Sequence, residues 1–146
     1  MKENKKISVI IIANNNTEKC LENIFKQSYI NDIETVVFYK NKEIEKNQKH
    51  KQDIQNEEKE HNENQKEINA IEENKEKQTE ISAIKEKYKT TKFVRFENNI
   101  FKAINKNLKL INGKYISILN SEDNMTIDYY RTMTNLAEDE NADIVM

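Results

Sequence analysis

The sequence contains no proline and no tryptophan, and only one glycine, one cysteine and two histidines. Each shortage removes a class of protein. One cysteine excludes an internal disulfide and a cysteine-based zinc cluster, and it suits a reducing compartment, so a cytoplasmic location is expected. With Gly113 as the sole glycine, neither phosphate-cradling pattern, GxGxxG or GxxxxGKS/T, occurs. His50 and His61 have no third histidine or cysteine nearby, which argues against zinc. No apolar run approaches the length of a membrane span. Met1 to Lys6 lead into only seven apolar or small residues before the asparagines begin, which is not the pattern of a signal peptide. The net charge is −2, and no basic stripe stands apart from its acidic neighbours, so a nucleic-acid surface is not expected.

What is present is unevenly distributed. Between Asn41 and Lys92, 25 of 52 residues are charged, 13 acidic and 12 basic, whereas the flanks hold nearly all the aromatic and most of the β-branched side chains. The 146 residues suffice for one domain with a core. An α/β domain interrupted by a polar segment, 41–92, accounts for this division better than a uniformly disordered chain.

Ile7 to Ala13, ISVIIIA, reads as a strand covered on both faces. Asn14, Asn15 and Asn16 break it. Thr17 is a good N-cap, after which Cys20, Leu21, Ile24, Phe25 and Ser28 recur at helical spacing. Ile33 to Tyr39 is a second strand, and the single helix between the two has the size of a parallel crossover. Lys92 to Phe96 offers a third strand. Ile100 to Ile111 has one apolar side and reads as a helix closed by Asn112 and Gly113 as a C-cap pair. Tyr115 to Leu119 is a fourth strand, Thr126 to Glu138 another helix, and Ala142 to Met146 a final strand or the beginning of one. The pattern predicts a doubly wound, Rossmann-like parallel sheet flanked by helices. In such sheets ligands gather at the carboxyl ends of the strands, here Ala13–Asn16 and Leu119–Asp123.

The insert, Glu43 to Tyr88, is built from good helix formers with sparse apolar positions. It reads either as one long helix, roughly 65–70 Å at 1.5 Å per residue, or as a helical hairpin turned at Glu60–Gln65. Ile54, His61 and Ile68 keep a seven-residue spacing that drifts afterwards. The segment is expected to be a solvated protrusion, a weak coiled coil that pairs with a second copy or another protein, or a disordered stretch.

Two readings compete at the end of the fourth strand. Glu122 and Asp123, helped by the amide oxygen of Asn120, suit a divalent ion that neutralises a diphosphate. Ser121, Asp123 and Asn124 also suit a cap for the following helix, with both acids beside its positive end, and from chemistry alone capping is the favoured reading. Asn14, Asn15 and Asn16 suit either a base or ribose, through their amides, or a tight turn. Cys20 belongs to the apolar side of its helix and reads as a core residue rather than a nucleophile.

KISVIIIANNN followed by LENIFKQSYINDIETVVFY resembles the opening of family 2 glycosyltransferases of the GT-A fold, with their SVIIPxYN-like strand, QTY-like segment and IEIIVVDDGS-like strand. NNIFKAINKNLKLINGKYISILNSEDNMTIDYY resembles that family's GVSAARNxGLxxAxGxYIxFLDSDD stretch, and an ADIV-like segment follows. The likeness spans roughly 90 residues on both sides of the insert. It implies a GT-A sheet, a nucleoside diphosphate sugar as ligand, and Mg²⁺ or Mn²⁺ as cofactor. The family's DxD motif falls on Asn120 and Glu122, with the following aspartate on Asp123. The base-recognising aspartate falls on Tyr39 or Lys40. The arginine of AARN falls on Ile104 and its asparagine on Asn105, and the proline of PxYN falls on Ala13. The resemblance thus implies cofactor- or donor-binding positions at Asn14, Asn15, Asn16, Tyr39, Asn105 and Asn120, and metal positions at Glu122 and Asp123. With Asn120 uncharged and the family's acceptor-binding half beyond this sequence, a truncated or degenerate glycosyltransferase-like domain is expected. A non-catalytic binding or scaffolding domain acting through the insert is the alternative.

Overall fold

A computed structural model describes residues 4–40 and 80–146. The chain divides into two compact units, one formed by Met1–Lys40 with Thr90–Met146, the other by Asn41–Lys89. The expected long helix, hairpin or coiled coil falls largely outside the described residues. Within the second unit, residues 80–87 are helical, and Ile84 and Tyr88 are buried.

The first unit is built on four strands: β1 (Ile7–Ile12), β2 (Ile33–Lys40), β3 (Lys92–Phe96) and β4 (Tyr115–Asn120). They form one sheet in the order β3-β2-β1-β4 with every pairing parallel. The interior strands are the apolar ones. Val9, Ile10, Ile11, Val36, Val37 and Phe38 have no exposed surface, as expected where both faces of a parallel sheet are covered.

Three helices flank the sheet: α1 (Thr17–Phe25), α2 (Ile100–Lys106) and α3 (Tyr129–Asp139). Ile104 of α2 packs with Ile10, Val36 and Phe38, and Ile100, Ala103 and Ile111 join that cluster. The connections β1–β2 and β3–β4 advance in opposite directions across the sheet, so right-handed crossovers place α1 and α2 on opposite faces. The hydroxyls of Ser117 and Tyr130 lie 3.2 Å apart, and Ser117 belongs to the row opposite Ile116 and Ile118, so α3 shares the face of α1. Over β4 the face covered elsewhere by α2 is open: Ile116 and Ile118 are each about half exposed.

Several element boundaries differ from the sequence expectation. α1 begins at Thr17, which is buried, and the N-cap position is Asn16, whose side chain makes no cap bond. α2 stops at Lys106 because Asn107 turns its amide back onto the carbonyl of Ala103, at 2.8 Å, and a 3-10 turn over Leu108–Leu110 follows. Gly113 is therefore not a helix cap. Its backbone passes so close to β1 that a Cβ would lie 2.3 Å from the amide nitrogen of Ser8. α3 begins at Tyr129 rather than Thr126 and ends at Asp139; just past its cap, Asn141 has a φ of 49°, a left-handed conformation that asparagine tolerates. There the amide of Ala142 donates to the carbonyl of Ala137 at 2.8 Å, closing the helix end. Residues 142–146 form no strand. A right-handed return to the outer edge of β4 requires a helix on the face of α2, and α3 lies on the other.

No helix among the described residues is long and apolar enough to cross a membrane.

Candidate functional site

The strand order sets the site. In register, Ile12 at the end of β1 stands beside Asn120 at the end of β4, and beside Phe38 of β2 on its other side. The turn after β1 and the loop after β4 therefore emerge as neighbours at the carboxyl edge, one strand spacing of about 4.8 Å apart.

The first of these is a tight polar turn. The Asn14 amide oxygen accepts from the Asn16 N–H at 2.7 Å, the Thr17 hydroxyl donates to the Asn14 carbonyl at 2.7 Å, and the Asn14 N–H donates to Thr17 Oγ1 at 2.9 Å. Asn14 is thus engaged in the turn itself. Asn15 is exposed, and Asn16 turns towards the loop after β4.

That loop starts with a turn in which the Asp123 N–H donates to the Asn120 carbonyl at 2.9 Å. Its far end is clamped by the segment after α1. Gln27 is buried; its amide donates to the carbonyl of Thr126 at 2.6 Å, and its oxygen accepts from the N–H of Tyr130 at 3.3 Å. The Ser28 N–H donates to the Ile127 carbonyl at 2.9 Å, and its hydroxyl donates to Asp128, which also pairs with Arg131 at 2.8 Å. Gln27 therefore caps α3 from another element, a role that the helical spacing around it did not signal.

Between α1 and this loop lies a polar cleft of about 280 Å³, lined by Asn16, Lys19, Asn23, Ser121, Glu122, Asp123 and Asn124. Positions 16, 19 and 23 repeat at helical spacing, so one flank of α1 forms one wall. Ser121 forms part of the other wall, is 4% exposed, and its hydroxyl has no hydrogen-bond partner among the described residues. Helix capping does not occupy it, nor Glu122 and Asp123, because α3 begins six residues beyond Asp123. The capping reading of this stretch is thereby overturned.

The two carboxylates with hydroxyl and amide oxygens beside them make a hard, all-oxygen donor set, suited to Mg²⁺ or Mn²⁺. Lys19 in the same cleft opposes it, and no group of three or more His, Cys, Asp or Glu gathers for a metal among the described residues. The set fits a weakly held ion. Burial pushes the Cys20 thiol up to about 11, and the negative charge of Asp123 pushes it the same way, so Cys20 is protonated and packed rather than nucleophilic. Burial likewise raises the Tyr130 hydroxyl to about 12, against the lowering effect of its bond with Ser117.

Of the sequence candidates, the structure brings Asn16, Glu122 and Asp123 into one cleft, with Asn120 at its base in sequence and Asn14 supporting the turn. Tyr39 is two strands away, paired in register with Arg95 of β3. Asn105 sits near the end of α2, on the opposite face of the sheet and towards its amino edge. Lys19, Asn23 and Ser121 were not marked as ligand positions by motif or spacing; the polar i, i+3, i+7 stripe on α1 was the available signal.

The most constrained carboxylate lies at the other edge. Glu34 is 9% exposed and receives Ser8 Oγ at 2.6 Å, the Asn112 N–H at 2.8 Å, the Asn112 side-chain amide at 2.9 Å, and the Lys92 ammonium. Burial pushes its pKa up, but the Asn112 amide, Lys92 and Ser8 together outweigh this and hold it at about 2. It fastens β1, β2, β3 and the approach to β4 at their amino ends, a structural task far from the cleft.

No protein-family model matches the chain, and no curated protein matches it.

Proposed function

We propose that this chain is the nucleotide-sugar-binding part of a glycosyltransferase-like domain with a weakened metal site. One observation supports the reading most: the parallel order β3-β2-β1-β4 sets the asparagine turn after β1 beside Asn120, Glu122 and Asp123 after β4. Such an edge of an open α/β sheet is where phosphorylated ligands bind. In this reading Glu122 and Asp123 hold Mg²⁺ or Mn²⁺, which neutralises the diphosphate of the donor and stabilises it as a leaving group. Asn120, uncharged where a carboxylate would add attraction, leaves the ion weakly bound. Positioning of an acceptor hydroxyl, which supplies a large part of the rate in group transfer, has no assigned residues here, so the function proposed is binding of donor rather than complete transfer. Titrating UDP- and GDP-sugars by calorimetry with and without Mn²⁺ tests it. Binding that strengthens with Mn²⁺ and is lost in Glu122→Ala supports the reading. Absence of binding by any nucleotide sugar at millimolar concentration rejects it.

A further inference from the structure

We infer that two copies of this chain join edge to edge through β4, antiparallel about a two-fold axis at Ser117, so that their sheets become one. Among the described residues β4 has a strand neighbour only in β1. Its outer side carries none of the protections that solitary edges have. Tyr115–Asn120 holds no proline and no charge, and its register with β1 runs without a bulge.

The backbone of β4 is self-complementary. The Tyr115 N–H donates inward, to the Lys6 carbonyl at 2.9 Å. The polar groups of successive residues point to opposite sides of a strand, so those of Ile116 and Ile118 face outward. Antiparallel pairing centred on Ser117 sets Ile116 of each copy opposite Ile118 of the other. Both residues face outward, so each such pair exchanges two main-chain hydrogen bonds. Their half-exposed side chains then meet across the axis, on the face away from α3. Centring the pairing on Ile118 would instead set Ile116 against Asn120.

Charge and packing agree with the same axis. Lys114 of each copy comes level with Asn120 of the other, where Glu122 and Asp123 open the following loop, so opposite charges meet at both ends. On the other face, Tyr130, Thr134 and Ala137 of α3 are buried towards the sheet, and Glu138 reaches sideways to Lys6, ahead of β1, at 2.7 Å. Tyr129, Met133 and Leu136 therefore occupy the flank of α3 away from β1, over the open edge. Tyr129 and Leu136 are 39% and 46% exposed there. The axis sets this flank against its own counterpart, two antiparallel helices closing over the joined strands. A chain of different sequence would need all three matches at once; a second copy supplies them by symmetry.

Sedimentation equilibrium of the full chain from about 1 to about 100 μM should give a mass rising to two chains, and Tm should rise with concentration. Ile116→Lys places an ammonium against Ile118 of the second copy. It should raise the dimer dissociation constant about 10-fold or more, with far-UV circular dichroism unchanged. Ser117→Cys puts a thiol on the axis, facing its own counterpart, and mild oxidation should yield a covalent dimer. The native Cys20 is buried and does not compete. A parent that remains one chain at the highest concentration overturns the inference. So does a dimer that Ile116→Lys leaves intact, which would place the contact on another surface. A Ser117→Cys variant that stays uncross-linked overturns the register and the inference with it. Should Ile116→Lys fail to fold, the cross-link alone decides. None of these outcomes depends on nucleotide-sugar binding.

Discussion

At the scale of single residues, the amino edge of the sheet carries the strongest constraints. Glu34 has a folded pKa of about 2 against an ordinary value of 4.5, so its contribution is fully present above pH 4.5 and is lost as pH falls from there towards 2. The difference corresponds to about 3 kcal/mol at neutral pH. Urea unfolding at pH 6 and pH 3 should show a loss of about 2 kcal/mol, because at pH 3 the folded carboxyl is still mostly ionised, and Glu34→Gln should be less stable at pH 6 and lose much less between the two. An unchanged pH dependence in the variant would remove Glu34 from this role. Gly113 is constrained by space rather than by dihedral angle, since the atom a Cβ would strike is the backbone nitrogen of Ser8, which cannot swing away. Gly113→Ala should therefore cost about 3 kcal/mol or more, read as a fall in the denaturation midpoint. Neither constraint was legible in the sequence. Glu34 sits in a strand where alternation gives it no special mark, and Gly113 followed an apolar helical pattern whose natural ending it imitated.

At the scale of elements, strands were more legible than helix ends. ISVIIIA, IETVVFY and GKYISILN carry enough β-branched and apolar residues to declare themselves, and the structure moves their limits by only one residue. Helix ends depend on individual asparagines. Asn107 stops α2 through its side chain, and Asn141 stops α3 by adopting a positive φ, and neither choice can be read from periodicity. The start of α3 depends on Gln27, which reaches it across the fold from the end of α1. Gln27→Ala leaves the Thr126 carbonyl and the buried Tyr130 amide without their partner and should destabilise by about 1–3 kcal/mol, with faster hydrogen exchange at Tyr130. In the loop that this clamp holds, Asn120→Asp should tighten Mn²⁺ by restoring a charge, and Glu122→Ala should abolish whatever binding exists. Calorimetric titration checks both, and tight binding that survives the loss of Glu122 would place the ion elsewhere. Glu122 and Asp123 were visible as candidates from the sequence; their neighbours Lys19 and Asn23 required the crossing of α1 over the strand ends to be known.

At the scale of the whole molecule, the parallel α/β sheet was legible because its signals are repeated along the chain, each strand followed by a segment long enough to cross back. The expected fifth strand was not, because the side of the sheet on which a helix returns is a tertiary choice. All four strands belong to the unit formed by Met1–Lys40 and Thr90–Met146. Excising residues 44–79 and rejoining the chain with a flexible linker should leave a cooperative thermal transition, since loop closure changes only slowly with length. A broad, non-cooperative transition would show that the excised residues are required for the fold. The open flank of β4 bears on behaviour in concentrated solution. β4 is an outermost strand among the described residues, and it carries Ile116 and Ile118 on a half-bare surface with its outer backbone groups facing outward. Such an edge is a template on which another extended chain can add by main-chain hydrogen bonding. A lysine in place of Ile118 would act as a gatekeeper, slowing fibril or aggregate growth without touching either the cleft or the Glu34 network.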